Sequence, residues 1–173
     1  GLARDGGLYL PSAWPRLSPD DLRGLAGLPY PEAAARILLP FMDGIAADEL
    51  LEMTQAAYAA FSDGQIVPLR QLSDGHWLLE LFHGPTLAFK DVAMQLLGRL
   101  FDRELNRRRA RVTLVGATPG ATGSAANEAC NDRGARDISR PHPPGRAAPV
   151  PLRHITSLES YSVRKCLLQA TRA

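Results

Sequence analysis

The amino-acid sequence predicts an α/β fold. Short apolar stretches with the composition of strands alternate with segments whose apolar residues recur every three or four positions, the spacing of an amphipathic helix. Clusters of glycine, serine and proline separate these segments, as expected of turns and loops. Because strand and helix alternate along the middle of the chain, we expect a strand–helix–strand–helix unit there.

Residues 1–66 are predicted to form a helical segment. Ser18 is suited to cap a short helix that begins at Pro19 and carries acidic residues in its first turn. A second helix is expected over 31–39, and 48–61 has the clearest apolar stripe of this part. This segment is the first of three predicted parts of the chain.

Residues 67–140 are predicted to form a partial α/β domain. Two strands, 67–72 and 77–81, are separated by a Ser-Asp-Gly turn. A long helix over 91–105 follows. Its predicted buried stripe is Ala93, Leu96, Leu97, Leu100, Phe101 and Leu105.

The same part continues with a short apolar strand over 111–115, a loop of glycine and threonine over 116–123, and a helix that begins at Ser124. After Cys130 the apolar pattern that indicates helices and strands becomes weak. Ile138 is the only aliphatic residue before Val150, which is too little for a buried strand.

Residues 141–173 are predicted to form an irregular, divergent tail rich in proline and arginine. Five prolines fall within eleven residues and disfavour helix and central strand. A short helix over 157–169 is the expected exception. The charge also changes along the chain, from a net −6 over 1–104 to a net +8 over 105–173.

The composition excludes several classes of protein. The 173 residues are 45% hydrophobic and 22% charged, which is typical of globular proteins. No apolar run could span a bilayer, and no secretory signal opens the chain, so a cytoplasmic location is expected. With only Cys130 and Cys166, and four histidines without ligand spacing, we expect neither a disulfide framework nor a metal site.

Lys90 is the first candidate for chemistry. It stands directly before the 91–105 helix, where the positive end of the helix dipole disfavours an ammonium group. Its apolar neighbours 87–89 would disfavour the charge further by desolvation. Both effects favour the neutral amine, the form that condenses with an aldehyde. The alternative, and the more common arrangement, is an exposed lysine beside Asp91.

The loop 116–124 is the second candidate. Glycines between a strand and a helix let backbone N–H groups converge, and together with threonine and serine hydroxyls they suit a phosphate or a carboxylate. The loop matches neither the Walker A nor the dinucleotide-binding motif. A tight turn that binds no ligand is an equally good interpretation.

Other polar residues carry weaker signals. His83 lies in a turn and could act as an acid or base, although a histidine bonded to the backbone is the favoured interpretation. The arginines over 107–111 could meet phosphates, but no aromatic residues are interleaved with them, which favours a solvated helix end. Nucleic-acid binding is therefore disfavoured.

Taken together, these segments resemble the threonine synthase family. The run Glu80-Leu-Phe-His-Gly-Pro-Thr-Leu-Ala-Phe-Lys90-Asp-Val-Ala-Met-Gln95 closely resembles that family's pyridoxal-phosphate lysine motif. Asp5-Gly-Gly-Leu-Tyr-Leu-Pro11 looks like its N-terminal segment, and Gly116 to Ala126 looks like its Gly-Ala-Thr-Ser-Gly-Asp-Thr-Gly-Ser-Ala-Ala loop. A further match is His142-Pro-Pro-Gly-Arg146.

The resemblance implies an incomplete type II pyridoxal-phosphate enzyme fold and conversion of O-phospho-L-homoserine and water to L-threonine and phosphate. Lys90 would hold pyridoxal 5'-phosphate as an internal aldimine and then move protons at the substrate carbons. Phosphate would leave from Cγ and water would add at Cβ. The resemblance assigns Lys90, Phe89, Thr118, Gly120, Thr122 and Gly123 to the cofactor and His83, Thr86, Thr118, Thr122 and Ser124 to the substrate.

The sequence departs from the family pattern at specific positions. Pro119 replaces a serine and so removes a backbone donor, and Ala121 replaces an aspartate. The match thins past Arg146, and family members are well over twice as long. The resemblance therefore implies an N-terminal fragment with impaired activity, and it leaves the oligomeric state open.

Two other functions stay open at this stage. The chain could be a non-catalytic remnant or interaction module whose basic tail binds acidic partners. It could also be another enzyme of the same fold, such as a dehydratase, although the Phe-His-Gly-Pro-Thr run favours threonine synthase.

Overall fold

The computed structural model describes residues 3–115, 121–130, 136–142 and 163–167. The chain forms two compact units, Gly1–Thr54 and Gln55–Ala173, which are described in turn. The expected three-part division, with boundaries after 66 and 140, remains a prediction.

The first unit is helical, as the sequence predicted. The side chain of Ser18 accepts a hydrogen bond from Asp21 N (3.1 Å), and the Asp21 carboxylate accepts one from Ser18 N (2.8 Å). This reciprocal pair is a capping box, which satisfies backbone donors at the start of the first helix. The helices that begin in this unit are α1 (Pro19–Arg23), α2 (Tyr30–Leu38), a 3-10 turn (Leu39–Phe41) and α3 (Ala47–Tyr58).

The second unit begins its strands with an antiparallel hairpin of β1 (Leu69–Ser73) and β2 (His76–Leu79). Gly75 has φ +74°, a left-handed conformation that glycine adopts without steric cost, and this explains the tight turn between the strands. All nine strand residues are exposed. The hairpin therefore buries none of its strand residues in the core, and it connects α3 to the residues that precede the next helix.

The long helix α4 (Asp91–Arg108) follows, then β3 (Val112–Val115) and α5 (Ala121–Cys130). A hydrogen bond joins the end of α3 to α4, in which the Tyr58 hydroxyl donates to Val92 O at 3.2 Å. The strand–helix–strand–helix order, and with it the α/β class, agrees with the prediction. None of the helices in the described ranges is long and apolar enough to cross a membrane.

The buried face of α4 differs from the predicted stripe. Ala93 and Leu97 are exposed, whereas Leu96 and Leu105 are buried as expected. The buried face also contains the polar residues Asp91 and Gln95, together with Gly98. The face of α4 that is buried depends on what packs against it, and α5, which packs there, buries small and polar residues of its own.

Two strands were not predicted. β4 (Arg136–His142) lies between β3 and β5 (Val163–Leu167) in a parallel sheet with the order β3-β4-β5. Too few aliphatic residues for a buried strand lie near Ile138, so β4 was missed, and the helix expected where β5 lies is wrong. Pairing between distant segments stabilises these strands, and no apolar pattern within either segment signals it. The remaining predicted tail lies outside the described residues.

Candidate functional site

The candidate site is built on the residues that join β2 to α4. We call residues 80–91 the lysine turn. Lys90 caps α4 with φ −67° and ψ −18°, and its carbonyl oxygen accepts a hydrogen bond from Met94 N at 2.9 Å. Its position directly before the helix is the one predicted.

The Lys90 side chain is half-buried. Its Nζ lies 4.0 Å from the centroid of the Phe89 ring, a distance at which a cation and an aromatic face attract each other. Of the apolar neighbours expected to desolvate the lysine, Ala88 is buried, whereas Leu87 and Phe89 are exposed. The amine is thus placed over one aromatic ring and remains accessible.

Asp91 has a structural role that the sequence interpretation missed. It is 0% exposed, and both of its carboxylate oxygens face Thr86. Thr86 N donates to Oδ2 at 2.8 Å and Thr86 Oγ1 donates to Oδ1 at 2.7 Å. The sequence interpretation considered Asp91 only as a neighbour of Lys90. The signal that could have identified it is the threonine five residues earlier, a side chain able to close a turn.

Gly84 is the point at which the lysine turn passes closest to Asp91. A Cβ atom at position 84 would lie 2.5 Å from Asp91 Oδ2 and 2.8 Å from Asp91 Cγ. These distances are too short for any side chain. Glycine is therefore required here by close packing, since its φ is not in the left-handed region.

His83 is held on several sides. Its Nε2 lies 2.7 Å from Glu80 Oε2, and its Nδ1 lies 3.4 Å from Ser62 Oγ. Ser62 N donates to His83 O at 2.9 Å. Arg70 reaches the same Glu80 carboxylate at 3.7 Å. His83 is thus fixed in place by side-chain and backbone partners, and a ring held in this way can present one orientation to a ligand.

The glycine loop is described only in part. Thr118 and Gly120 lie outside the described residues, whereas Thr122, Gly123 and Ser124 lie in the first turn and a half of α5. Of these, Gly123 and Ser124 are buried and Thr122 is half-buried. The structure thus places three of the five predicted loop residues at a helix N-terminus, where backbone N–H groups attract anions.

Buried polar atoms on α5 have no partner among the described residues. They are Ser124 Oγ and both polar atoms of Asn127, and the two side chains are 4% and 1% exposed. Residues three apart on a helix share a face. Because buried polar groups are normally hydrogen-bonded, these atoms are expected to bond to a polar group that the described residues do not supply. The sequence interpretation missed Asn127.

Other candidate groups do not join this site. Arg107 pairs with Glu104 at 2.8 Å, and Arg108 pairs with the same carboxylate, all on the exposed end of α4. These two arginines hold the pKa of Glu104 down at about 2. They form the solvated helix end that was the favoured interpretation. Among the residues described, no group of histidine, cysteine and acidic side chains could hold a metal ion.

Comparison with known proteins defines the class first: this is an α/β chain with the architecture of part of a pyridoxal-phosphate-bound enzyme. A crystal structure of PLP-bound threonine synthase from Brucella melitensis superposes with a TM-score of 0.92 and 48% sequence identity, covering 95% of this chain and 36% of that one. Yeast threonine synthase gives a TM-score of 0.92 at 32% identity, over 99% of this chain and 36% of that one.

The sequence comparisons then name the family. Residues 1–58 match the family model described as the threonine synthase N terminus. Threonine synthase from Pseudomonas aeruginosa is 47% identical over 170 residues, which are 98% of this chain and 36% of that protein. The chain is therefore similar in sequence and in fold to the N-terminal part of threonine synthases.

The same comparisons bear on two expectations. The alignment with the Pseudomonas protein continues well past Arg146, farther than the motif match indicated. The chain also spans only about a third of the length of the curated relatives it matches.

Proposed function

We propose that this chain carries the cofactor lysine of a threonine synthase. In this proposal Lys90 Nζ condenses with the aldehyde of pyridoxal 5'-phosphate, and the substrate is O-phospho-L-homoserine, which water converts to L-threonine and phosphate. The observation that carries the proposal is the placement of Lys90. It is a half-buried lysine at the start of a long helix, in a chain 48% identical to a PLP-bound threonine synthase of the same fold.

The remaining residues of the site have proposed roles that follow from their positions. Phe89 supports the lysine, and the start of α5 offers hydrogen-bond donors to an anionic group, with Gly123 and the hydroxyl of Ser124, which has no partner within the described part of the chain. We propose that Thr118, Gly120 and Thr122 complete this anion site. When bound, the cofactor acts as an electron sink for the substrate carbons.

His83 and Thr86 are proposed to face the substrate. The Glu80 carboxylate 2.7 Å from Nε2 and the Ser62 hydroxyl near Nδ1 restrict rotation of the His83 ring. A ring restricted in this way needs little reorganisation to bind a charged ligand, and less reorganisation favours affinity. The proposal includes a cytoplasmic location and a small-molecule substrate, with no membrane or nucleic-acid partner.

Titration of the chain with pyridoxal phosphate tests the proposal. A visible absorption band of lysine-bound cofactor should develop and should disappear on addition of hydroxylamine, which takes the cofactor from the lysine as an oxime. The chain has two lysines, Lys90 and Lys165, so matched variants exist. Lys90→Arg should lose most of the band, keeping only what Lys165 and the N-terminal amine contribute, and Lys165→Arg should keep most of it. An undiminished band in Lys90→Arg would contradict the proposal and favour the alternative of a non-catalytic remnant or interaction module.

A further inference from the structure

We propose that Asp91 is the positioning residue of Lys90. Its buried carboxylate closes the lysine turn onto Thr86, and this closure determines where the neighbouring Lys90 amine points. The inference rests on the proposed function of Lys90, and the experiment below separates the two.

The first support is the geometry of the closure. Thr86 and Asp91 are five residues apart, and two hydrogen bonds of 2.8 and 2.7 Å join them through the backbone and the hydroxyl of Thr86. Lys90 lies inside the loop that these bonds close. Both bonds are shielded from water because Asp91 is fully buried, and a hydrogen bond is stronger where water is excluded.

The second support is the way the backbone inside the loop is held. Leu87 has φ +59°, a left-handed conformation that costs an aliphatic residue free energy. Leu87 N donates to Gly84 O at 3.0 Å, and Asp91 N donates to Ala88 O at 2.9 Å. A residue persists in such a conformation only where surrounding contacts hold it, and here the contacts with Thr86 and Gly84 converge on Asp91.

The third support is that the Asp91 carboxylate and the Lys90 amine have separate partners. Asp91 directs both oxygens to Thr86, while Lys90 Nζ lies over the Phe89 ring. The carboxylate therefore holds the backbone on either side of the lysine and leaves the amine to react. A group that acts through another residue in this way positions it and does not itself enter the chemistry.

The test compares the two lysines within one sample. Each variant is treated with pyridoxal phosphate, reduced with borohydride and digested, and the label at Lys90 is measured relative to the label at Lys165. A small misplacement of a reacting group can cost orders of magnitude in rate, so Asp91→Ala should lower this ratio by about tenfold or more. Circular dichroism shows whether each variant is folded.

Conservative variants separate positioning from general stability. Asp91→Asn and Thr86→Ser keep groups able to bond across the loop and should retain most of the ratio. Thr86→Val removes the hydroxyl and should lower it. Thr86→Val removes one of the two hydrogen bonds and Asp91→Ala removes both, so the double variant should lower the ratio no further than Asp91→Ala alone. Asp74→Asn, in the exposed turn of the hairpin, is the matched control and should leave the ratio unchanged.

The outcomes are distinct. If Lys90 is not preferred over Lys165 in the unaltered chain, the proposed function fails. If Lys90 is preferred there and remains equally preferred in a folded Asp91→Ala or Thr86→Val chain, the positioning role alone is wrong. If Asp91→Ala does not fold, the comparison of Thr86→Val with Thr86→Ser decides.

Discussion

At position 84 the chain has no room for a side chain, because the Asp91 carboxylate occupies the space a Cβ would need. At position 87 a leucine adopts a backbone conformation usual for glycine. Both residues belong to the lysine turn, three residues apart. The turn therefore depends on the contacts to Asp91 and on the glycine at position 84 that makes room for them.

Gly84→Ala should destabilise the chain. The added methyl group would overlap Asp91 in a buried turn, and overpacking of this kind costs about 1–3 kcal/mol in the free energy of unfolding. Urea denaturation measures it. Gly64→Ala is the matched control, since nothing lies within 4 Å of a Cβ there, and it should change stability by less than about 0.5 kcal/mol. Equal effects of the two substitutions would show that the turn can move away from the methyl group.

At the scale of single elements, α4 shows how a helix end and a helix face are set by different forces. Its C-terminal end is exposed and carries Arg107 and Arg108. Their positive charges interact favourably with the negative end of the helix dipole, and both side chains pair with Glu104. The helix stops at Arg109, which is left-handed with φ +51°. Its buried face, by contrast, is set by packing against neighbouring elements, α5 among them.

Arg109→Gly should stabilise the chain, since glycine adopts the left-handed conformation without steric cost. The larger conformational freedom of glycine in the unfolded chain offsets part of the gain, so we expect about 0.5–1 kcal/mol in thermal or urea unfolding. Arg108→Gly, one residue earlier and inside the helix, should instead cost about 1 kcal/mol. Changes of the same sign at both positions would contradict the assigned helix end.

Glu104 should make stability depend on pH in acid. Its pKa is lowered from 4.5 to about 2 in the folded chain by hydrogen bonds from Arg107 and Arg108. A carboxyl group with a depressed folded-state pKa stabilises the protein above its unfolded pKa, and this contribution is lost as the pH falls from about 4.5 towards 2. Urea unfolding of Glu104→Gln should therefore decline less steeply over this range than that of the unaltered chain.

Because the Glu104 cluster is exposed, salt should reduce this difference. Asp21, whose pKa is lowered by Ser18, contributes in acid in both proteins and cancels in the comparison. Parallel acid transitions at low salt would exclude Glu104 as a contributor.

At the scale of the whole molecule, prediction from sequence succeeded where the signal is local. The cap at Ser18, the turn at Gly75 and the long helix beginning at Asp91 each depend on neighbouring residues, and each is found close to its expected place. β4 and β5 were missed because their stability comes from pairing with strands far along the chain.

The candidate site divides in the same way. Lys90 is recognised from a run of adjacent residues. The closure of Asp91 onto Thr86 and the burial of the polar side chains of Ser124 and Asn127 are known only once the backbone is folded, because they depend on burial and on direction in space.

The chain by itself should release almost no phosphate from O-phospho-L-homoserine. It spans about a third of the length of its relatives, and we expect the rest of their length to supply further hydrogen bonds to the cofactor phosphate. Losing several hydrogen bonds to a charged group, each worth about 1.5–3 kcal/mol, weakens cofactor binding by orders of magnitude. A phosphate-release assay beside the full-length Pseudomonas enzyme measures this. Comparable turnover would show that the described units suffice for activity.

The most direct test of the central claim is peptide mapping after borohydride reduction of the chain with pyridoxal phosphate. The account predicts a cofactor mass on the peptide that contains Lys90, at a level well above that on Lys165 or on the N-terminal amine. Loss of this label in Lys90→Arg, with the label on the other amines unchanged, would complete the evidence. Equal labelling of all amines, or label on Lys165 alone, would contradict the assignment of Lys90 as the cofactor lysine.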